Sequence, residues 1–138
     1  MLSNDDIQAA LITYLKAQTT LVAFLAATSS IKEDQWQGTQ FVYPAYRLRL
    51  SVQTPLGVGG SGSNCPARLT ITVAAYTEDA SSKKADDMAG AANAALHEAT
   101  FTRNNIRFAA IRSTGLVSAI RQDERTWRSE ANFTAIIQ

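Results

Sequence analysis

The chain has 138 residues, 46% of them hydrophobic, and a formal net charge of +1. That length buries a core without disulfide staples, the hydrophobic share excludes wholesale disorder, and the near-zero charge removes any global pull toward nucleic acid or membrane. One cysteine, Cys65, excludes an internal disulfide and fits a reducing cytosol.

The first residues, MLSNDDIQAA, are acidic and lack the basic start and long apolar run of a signal peptide. No apolar run approaches the ~20 residues of a membrane helix. Asn4 is positioned to cap a helix, with Asp5 and Asp6 in its first turn, where the helix dipole favours negative charge. Ile7, Leu11, Tyr14 and Leu15 make one apolar stripe, and the helix should end near Ala17. Thr19 or Thr20 caps a second short helix that buries Leu21, Val22, Phe24 and Leu25 and stops at Thr28–Ser30. Ile31–Asp34 reads as a short strand. Trp36–Phe41, with Gly38 inside it, is a connection; Trp36 either packs over the sheet edge or stands exposed for a partner, and packing weighs more.

The chain is organised around a long hairpin from Tyr43 to Tyr76. Tyr46, Leu48, Leu50 and Val52 alternate with Arg47, Arg49, Ser51 and Gln53; on the second arm Leu69, Ile71 and Val73 alternate with Arg68, Thr70 and Thr72. Burying both apolar sets on one face requires even positions of the first arm to pair with odd positions of the second. Pro44 at the start of the first arm suggests an edge position. Between the arms, Thr54–Pro66 is rich in Gly, Ser and Pro and is far longer than a hairpin needs. It reads as a flexible tip, either idle or made for a partner, with Leu56, Gly57, Val58, Gly59, Gly60, Ser61 and Gly62 as the contacting stretch.

Thr77–Ser82 turn the chain, and Ser81 or Ser82 caps a helix running to about Ala99. Its buried face is mostly small: Ala85, Met88, Ala89, Ala92, Ala95 and Leu96. Asp86 and Asp87 lie near its N-terminus. Ile106–Arg112, Gly115–Gln122 and Arg125–Ile137 read as three strands joined by short turns. The expected fold class is α+β: a single domain over residues 1–138, with an antiparallel sheet and helices on one face. Leaving aside the short segment Ile31–Asp34, eight of nine arginines fall in the expected strands, and Glu130 is the only acid there. The sheet surface is therefore expected to be basic and the helical surface acidic. Edge protection and an interface explain this equally well. No large exposed apolar stripe is evident, so weak association is expected of the free protein.

The sequence holds no recognisable catalytic constellation. Gly57-Val58-Gly59-Gly60-Ser61-Gly62 matches GxGxxG, but Pro66 and a strand follow, where a dinucleotide site needs a helix. His97 is the only histidine; Glu98 would diverge from it on a helix, and Asn93 is neither base nor metal ligand. Cys65 has no recognisable activating group. Asp86 and Asp87 diverge by about 100° on a helix. Tyr43, Tyr46, Tyr76, Trp127 and Phe133 among arginines suggest a base-stacking platform, against which the core reading weighs more heavily. No cofactor or metal is expected.

The order and spacing of several stretches resemble the tail-completion or tail-terminator proteins of long-tailed bacteriophages and gene transfer agents. These stretches are IQAALITYLKA with a second short apolar helix, IKEDQWQG leading into YPAYRLRL, a glycine-rich gap, RLTITVAAYTEDASSKKADDMAGAANAAL, and the closing ERTWRSEANFTAIIQ. Family members often have Asp-Gly at the last hairpin, where Asp123-Glu124-Arg125 stands here. The resemblance implies a non-enzymatic virion protein that assembles in the host cytoplasm. It forms a ring, usually of six subunits, at the tail-neck junction, capping the tail tube and joining it to the head connector or stopper. DNA would pass through the ring without sequence-specific binding, and no membrane is involved. Arg47 and Arg49 on a strand, with Asp86 and Asp87 of a neighbouring subunit, are the candidate interface residues. A head-completion protein of the neck is the alternative in the same setting, and a small cytosolic nucleic-acid-binding module is the alternative outside it.

Overall fold

Two kinds of periodicity build the molecule: period-two strands for one sheet and helical stripes that cover it. The computed structural model describes residues 3–27, 30–33, 42–56, 66–122 and 124–138. Helices α1 (Asn4–Lys16), α2 (Thr19–Val22) and α3 (Lys83–Leu96) accompany strands β1 (Ile31–Glu33), β2 (Ala45–Pro55), β3 (Ala67–Thr77), β4 (Phe101–Arg103), β5 (Ile106–Arg121) and β6 (Trp127–Ile137). The six strands form one sheet in the order β1-β2-β3-β6-β5-β4. The fold is α+β, as expected, with one difference: β1 runs parallel to β2, so the sheet is mixed.

The hairpin pairs as the burial argument requires. Tyr46 faces Ala75, Leu48 faces Val73 and Leu50 faces Ile71. A register shift then intervenes between Leu50 and Val52, setting Val52 opposite Thr70 and Gln53 opposite Leu69. The parity expected through Val52 therefore stops at Leu50. Gln53 turns toward the helix side, where its Nε2 donates to Asn4 Oδ1 at 3.0 Å. The bulge reverses the strand's faces and so recruits a polar side chain to tie β2 to α1.

Pro44 stands before β2 rather than in its ladder. β1 covers β2 from Tyr46 to Leu48, so among the described residues β2 is an edge only beyond that point.

Helix α1 is capped by Ser3 rather than Asn4: Ser3 Oγ accepts the Asp6 amide at 3.1 Å. Ile7, Leu11 and Leu15 are buried as expected. Tyr14 closes the helix onto the far side of the sheet. Its ring stacks on Phe101 at 3.7 Å, and its hydroxyl donates to the Ala95 carbonyl at 2.8 Å. Of the second apolar cluster, only Leu21 is fully buried. The connection from Asp34 through Trp36 to Phe41 and the tip from Gly57 to Cys65 lie outside the described residues.

Helix α3 ends at Leu96, short of the expected Ala99. Its buried face is Ala85, Met88, Ala89, Ala92 and Leu96, and it packs over β3, β5 and β6. Small residues let the helix lie close to the sheet, so Tyr46 reaches across to donate from its hydroxyl to the Met88 carbonyl at 2.8 Å. Burial pushes the Tyr46 phenol well above its ordinary pKa, because a buried phenolate would lose its hydration.

The last third departs most from expectation. Ile106–Arg112 and Gly115–Gln122 are one continuous strand, β5, not two. Ser113, Thr114 and Gly115 resemble a turn, but Gly115 instead takes φ +146° within the strand. The turn lies earlier. Asn104 and Asn105 have φ of 51° and 62°, and they join β4 to β5 across an Arg103–Ile106 pair. A two-residue hairpin loop needs left-handed residues, and asparagine tolerates them.

Candidate interaction surfaces

The arginine and aspartate positions singled out above meet different fates. Arg47 is 4% exposed. Its Nη1 donates to the Ser30 carbonyl at 3.2 Å and the Tyr46 carbonyl at 3.1 Å. It clamps the chain entering β1 onto β2, and burial removes it from the exposed surface that alternation predicts. Arg49, two residues on, is exposed.

Asp86 is exposed but occupied within the chain. Its Oδ1 accepts the Ala119 amide of β5 at 2.8 Å and lies 3.2 Å from Ser129 Oγ. Asp87 pairs with Lys83 at 2.7 Å, one helical turn back; that contact raises the lysine's pKa. The structure thus separates the four residues into a clamp, a tie to β5, a local pair and one exposed cation. In the tip, Leu56 is half-buried and its amide donates to the Pro66 carbonyl at 2.9 Å. Gly57, Val58, Gly59, Gly60, Ser61 and Gly62 lie outside the described residues.

The sheet face away from the helices is basic. Arg49, Arg68, Arg107 and Arg112 are exposed on β2, β3 and β5. Arg128 lies over the Tyr76 ring at 5.6 Å and pairs with Glu130 at 2.8 Å, so that acid is already neutralised. Arg68 and Arg112 flank a shallow hollow of about 270 Å³, floored by Thr134, Ala135 and Ile136. Arg112 also pairs with Glu98 at 2.8 Å. The strands hold the expected eight arginines with one exchange, Arg103 of β4 for Arg125, which lies in the last turn. Glu33 of β1 joins Glu130 as a strand acid.

His97 and Glu98 meet, contrary to the helical expectation. Helix α3 has ended, Glu98 takes φ +63°, and the two side chains come within 3.9 Å. His97 Nδ1 accepts the Ser113 amide at 3.0 Å, and the Glu98 amide donates to the Ile111 carbonyl at 2.7 Å. This cluster pins β5 where its ladder with β6 is irregular. Among the described residues no group of His, Cys, Asp and Glu could hold a metal ion, and no helix is long and apolar enough to cross a membrane.

The stacking platform does not assemble. Tyr46 and Phe133 are core, Tyr76 lies beneath Arg128, and Trp127 Nε1 donates to the Asp79 carbonyl at 3.1 Å.

Sequence reasoning missed an apolar edge. Leu116, Val117 and Ile120 on β5 are 53%, 42% and 57% exposed. Strand β4 covers β5 only over Ile106–Phe108. Beyond that, among the described residues no strand pairs with the outer side of β5. The signal was present in the run Leu116-Val117-Ser118-Ala119-Ile120, which does not keep strict alternation.

Curated protein sequences give no match to the chain. One solved structure, a chain of "Virion of native gene transfer agent (GTA) particle", superposes with a TM-score of 0.69 at 18% identity, over 95% of this chain and 93% of that one. A second superposes with a TM-score of 0.62 at 12% identity, over 100% and 97%. At those identities the likeness speaks for a shared fold. Residues 9–138 match the family described as "Tail completion protein gp17". The fold and this match agree with the resemblance carried by the sequence, and the chain belongs to the tail completion protein gp17 family.

Proposed function

We propose that this protein is a non-enzymatic virion component that forms a ring at the head-proximal end of the tail, ends the tail tube there and joins it to the head connector. The observation that carries this reading is the family match across residues 9–138. The solved virion particle with the same fold supports it. The surfaces are consistent with a joint. The open sheet face is basic, and its arginines Arg49, Arg68 and Arg107 have no acidic partner among the described residues. In this reading Arg49 contributes to a contact between subunits, where a partly desolvated guanidinium sets register and partner choice. The stretch Leu56–Gly62 contacts the tube or the connector, and DNA passes through the ring without sequence readout.

The test removes the gene from the producing phage or particle and examines the products by electron microscopy. Filled heads and separate tails of irregular length are expected, and the purified protein should restore joining. Heads that leak DNA beside complete tails would instead indicate head completion. Normal particles without the protein would end the proposal.

A further inference from the structure

The open face of the sheet divides into two halves of different chemistry. In one half, Ala74 is level with Glu130 and Val117, and Tyr76 is level with Arg128 and Ile120. There Arg128 and Glu130 pair with each other, and Arg47 is buried. In the other half, Arg68 is level with Ile136 and Ala109, and Arg112 is level with Thr134 and Thr70. Arg107 exchanges two backbone hydrogen bonds with Gln138, which sets it just beyond Ala109.

Buried neighbours fix the face of all three arginines. Ala67 and Leu69 flank Arg68, and Ile106 and Phe108 flank Arg107; Thr134, opposite Arg112, lies between Phe133 and Ala135. Those apolar side chains belong to the core under the helices, so the arginines project from the other side. Neighbouring strands are about 4.8 Å apart, which puts β3 and β5 about 10 Å apart across β6. Thr134 to Gln138 on β6, the span from Arg112 to Arg107, is about 13 Å. Between Arg68 and Arg112 lies the hollow of about 270 Å³.

The surroundings are polar. Thr54 faces Arg68, and Thr70, Thr72, Asn132 and Thr134 fill the rows beside it. No large hydrophobic side chain described in this half is strongly exposed. Glu98 stands at the rim, paired with Arg112 at 2.8 Å. Both partners are exposed, so the pair is weak, and the guanidinium fork keeps donors for a second acceptor. Arginine with threonine and asparagine is the set that contacts DNA phosphates. Protein interfaces instead centre on aromatic and apolar anchors, which this half does not expose.

From this complementarity we infer that Arg68, Arg107 and Arg112 hold phosphates of double-stranded DNA passing through the ring, so that this half of the sheet faces the passage. The inference rests on the ring reading above and deepens it by naming the face turned to DNA. Arg49, level with Thr72 and Asn132 on the far side of the face, keeps the subunit contact assigned to it. A duplex carries one charge per about 1.7 Å of its axis, so a patch of this width meets several phosphates. Contacts to phosphates alone are screened by salt and let the duplex slide. Copies of the patch around one duplex add their grips. The formal net charge of the chain is only +1, so binding comes from this local patch and not from bulk charge.

The test measures anisotropy of a short labelled DNA duplex with the free full chain, from about 20 mM to about 200 mM salt. Wild type should bind at the low end, equally for two unrelated sequences, with a log–log salt slope of about −2 to −3, as three phosphate contacts require. Arg68→Gln with Arg107→Gln should reduce that slope by about 2 and weaken binding at low salt at least about tenfold. Arg103→Gln with Arg121→Gln removes two guanidiniums that lie over Tyr14 and Trp127, away from the patch; it should leave the slope unchanged. Equal losses from both pairs, or no binding by wild type at low salt, would overturn the patch and leave the ring reading standing. Tighter binding of a glutamate polymer than of the duplex would assign the face to an acidic protein surface and overturn it too. Normal particles formed without the protein would end the ring reading and, with it, the passage, whatever the patch binds.

Discussion

Strands β3 and β6 pair from Ala67 to Thr77 without a register shift, whereas β6 and β5 shift three times over the neighbouring ladder. In the first pair the odd residues Leu69, Ile71, Val73, Ala131, Phe133 and Ala135 are all buried. In the second, β5 buries Ile106, Phe108 and Ile111 and then exposes Leu116, Val117 and Ile120. The central pair lies under α3, and its outward face is half-covered. Among the described residues no strand pairs with the other flank of β5 beyond Phe108. A strand with one face to bury has a single acceptable register. A strand that leaves the core is free to bulge, and side chains of α3 and of the residue that follows it hold it instead: Asp86 accepts the Ala119 amide and His97 the Ser113 amide. The centre of the sheet carries the stability, and the outer strand carries exposed surface.

The largest expected effect tests that division directly. Phe133→Ala should cost about 3–5 kcal/mol, the usual result of hollowing a core around a buried aromatic. Leu116→Ala on β5 should cost under ~0.5 kcal/mol, since the side chain is already half in water. Urea titrations of both variants measure the two values. Similar losses at both sites would mean that β5 is as integral to the core as β6.

Arg47 and Arg49 make the same comparison inside β2. Arg47→Ala should destabilise by about 2–3 kcal/mol, because the Ser30 and Tyr46 carbonyls lose a charged donor in a buried place. Arg49→Ala should change stability by less than ~0.5 kcal/mol, as exposed substitutions do. Urea midpoints for the two variants check this. If Arg49→Ala also unfolds the chain easily, its place on the exposed face is wrong.

These contrasts explain what the sequence made legible. The hairpin from Tyr46 to Leu50, β6 and the apolar faces of α1 and α3 follow from period alone, because burial on one side leaves its mark at every second or third residue. Arg47 breaks the rule through a tertiary contact: the Ser30 carbonyl covers it, and alternation cannot foresee a neighbour from another segment. Gln53 breaks it through a bulge, which inverts the faces without changing composition. Ser113-Thr114-Gly115 has turn composition but continues a strand, because the chain already turns at Asn104-Asn105. His97 and Glu98 come together because the helix stops at Leu96, two residues before Glu98 adopts a left-handed backbone. The exposed apolar stretch of β5 does not announce itself by period, because it breaks strict alternation, and it emerges only once the strands are placed side by side.

The smallest expected effect concerns the backbone of β5 itself. Ala110 has φ +51° in the irregular stretch between the Ala109 and Arg112 pairs, and it is exposed. A Cβ in the left-handed region crowds the backbone, which glycine avoids. Ala110→Gly removes that crowding but gives the unfolded chain more freedom to lose. The first effect exceeds the second at a positive φ. The substitution should therefore stabilise by about 0.5–1 kcal/mol, a gain read as a higher urea midpoint at unchanged slope. Ala109→Gly, one residue away in a paired position of the same strand, should lose a similar amount, as glycine does within a strand. Opposite signs at adjacent alanines would locate the strain of the outer strand at its bulge. Equal losses at both would place β5 in an ordinary ladder and remove the contrast with β3 and β6.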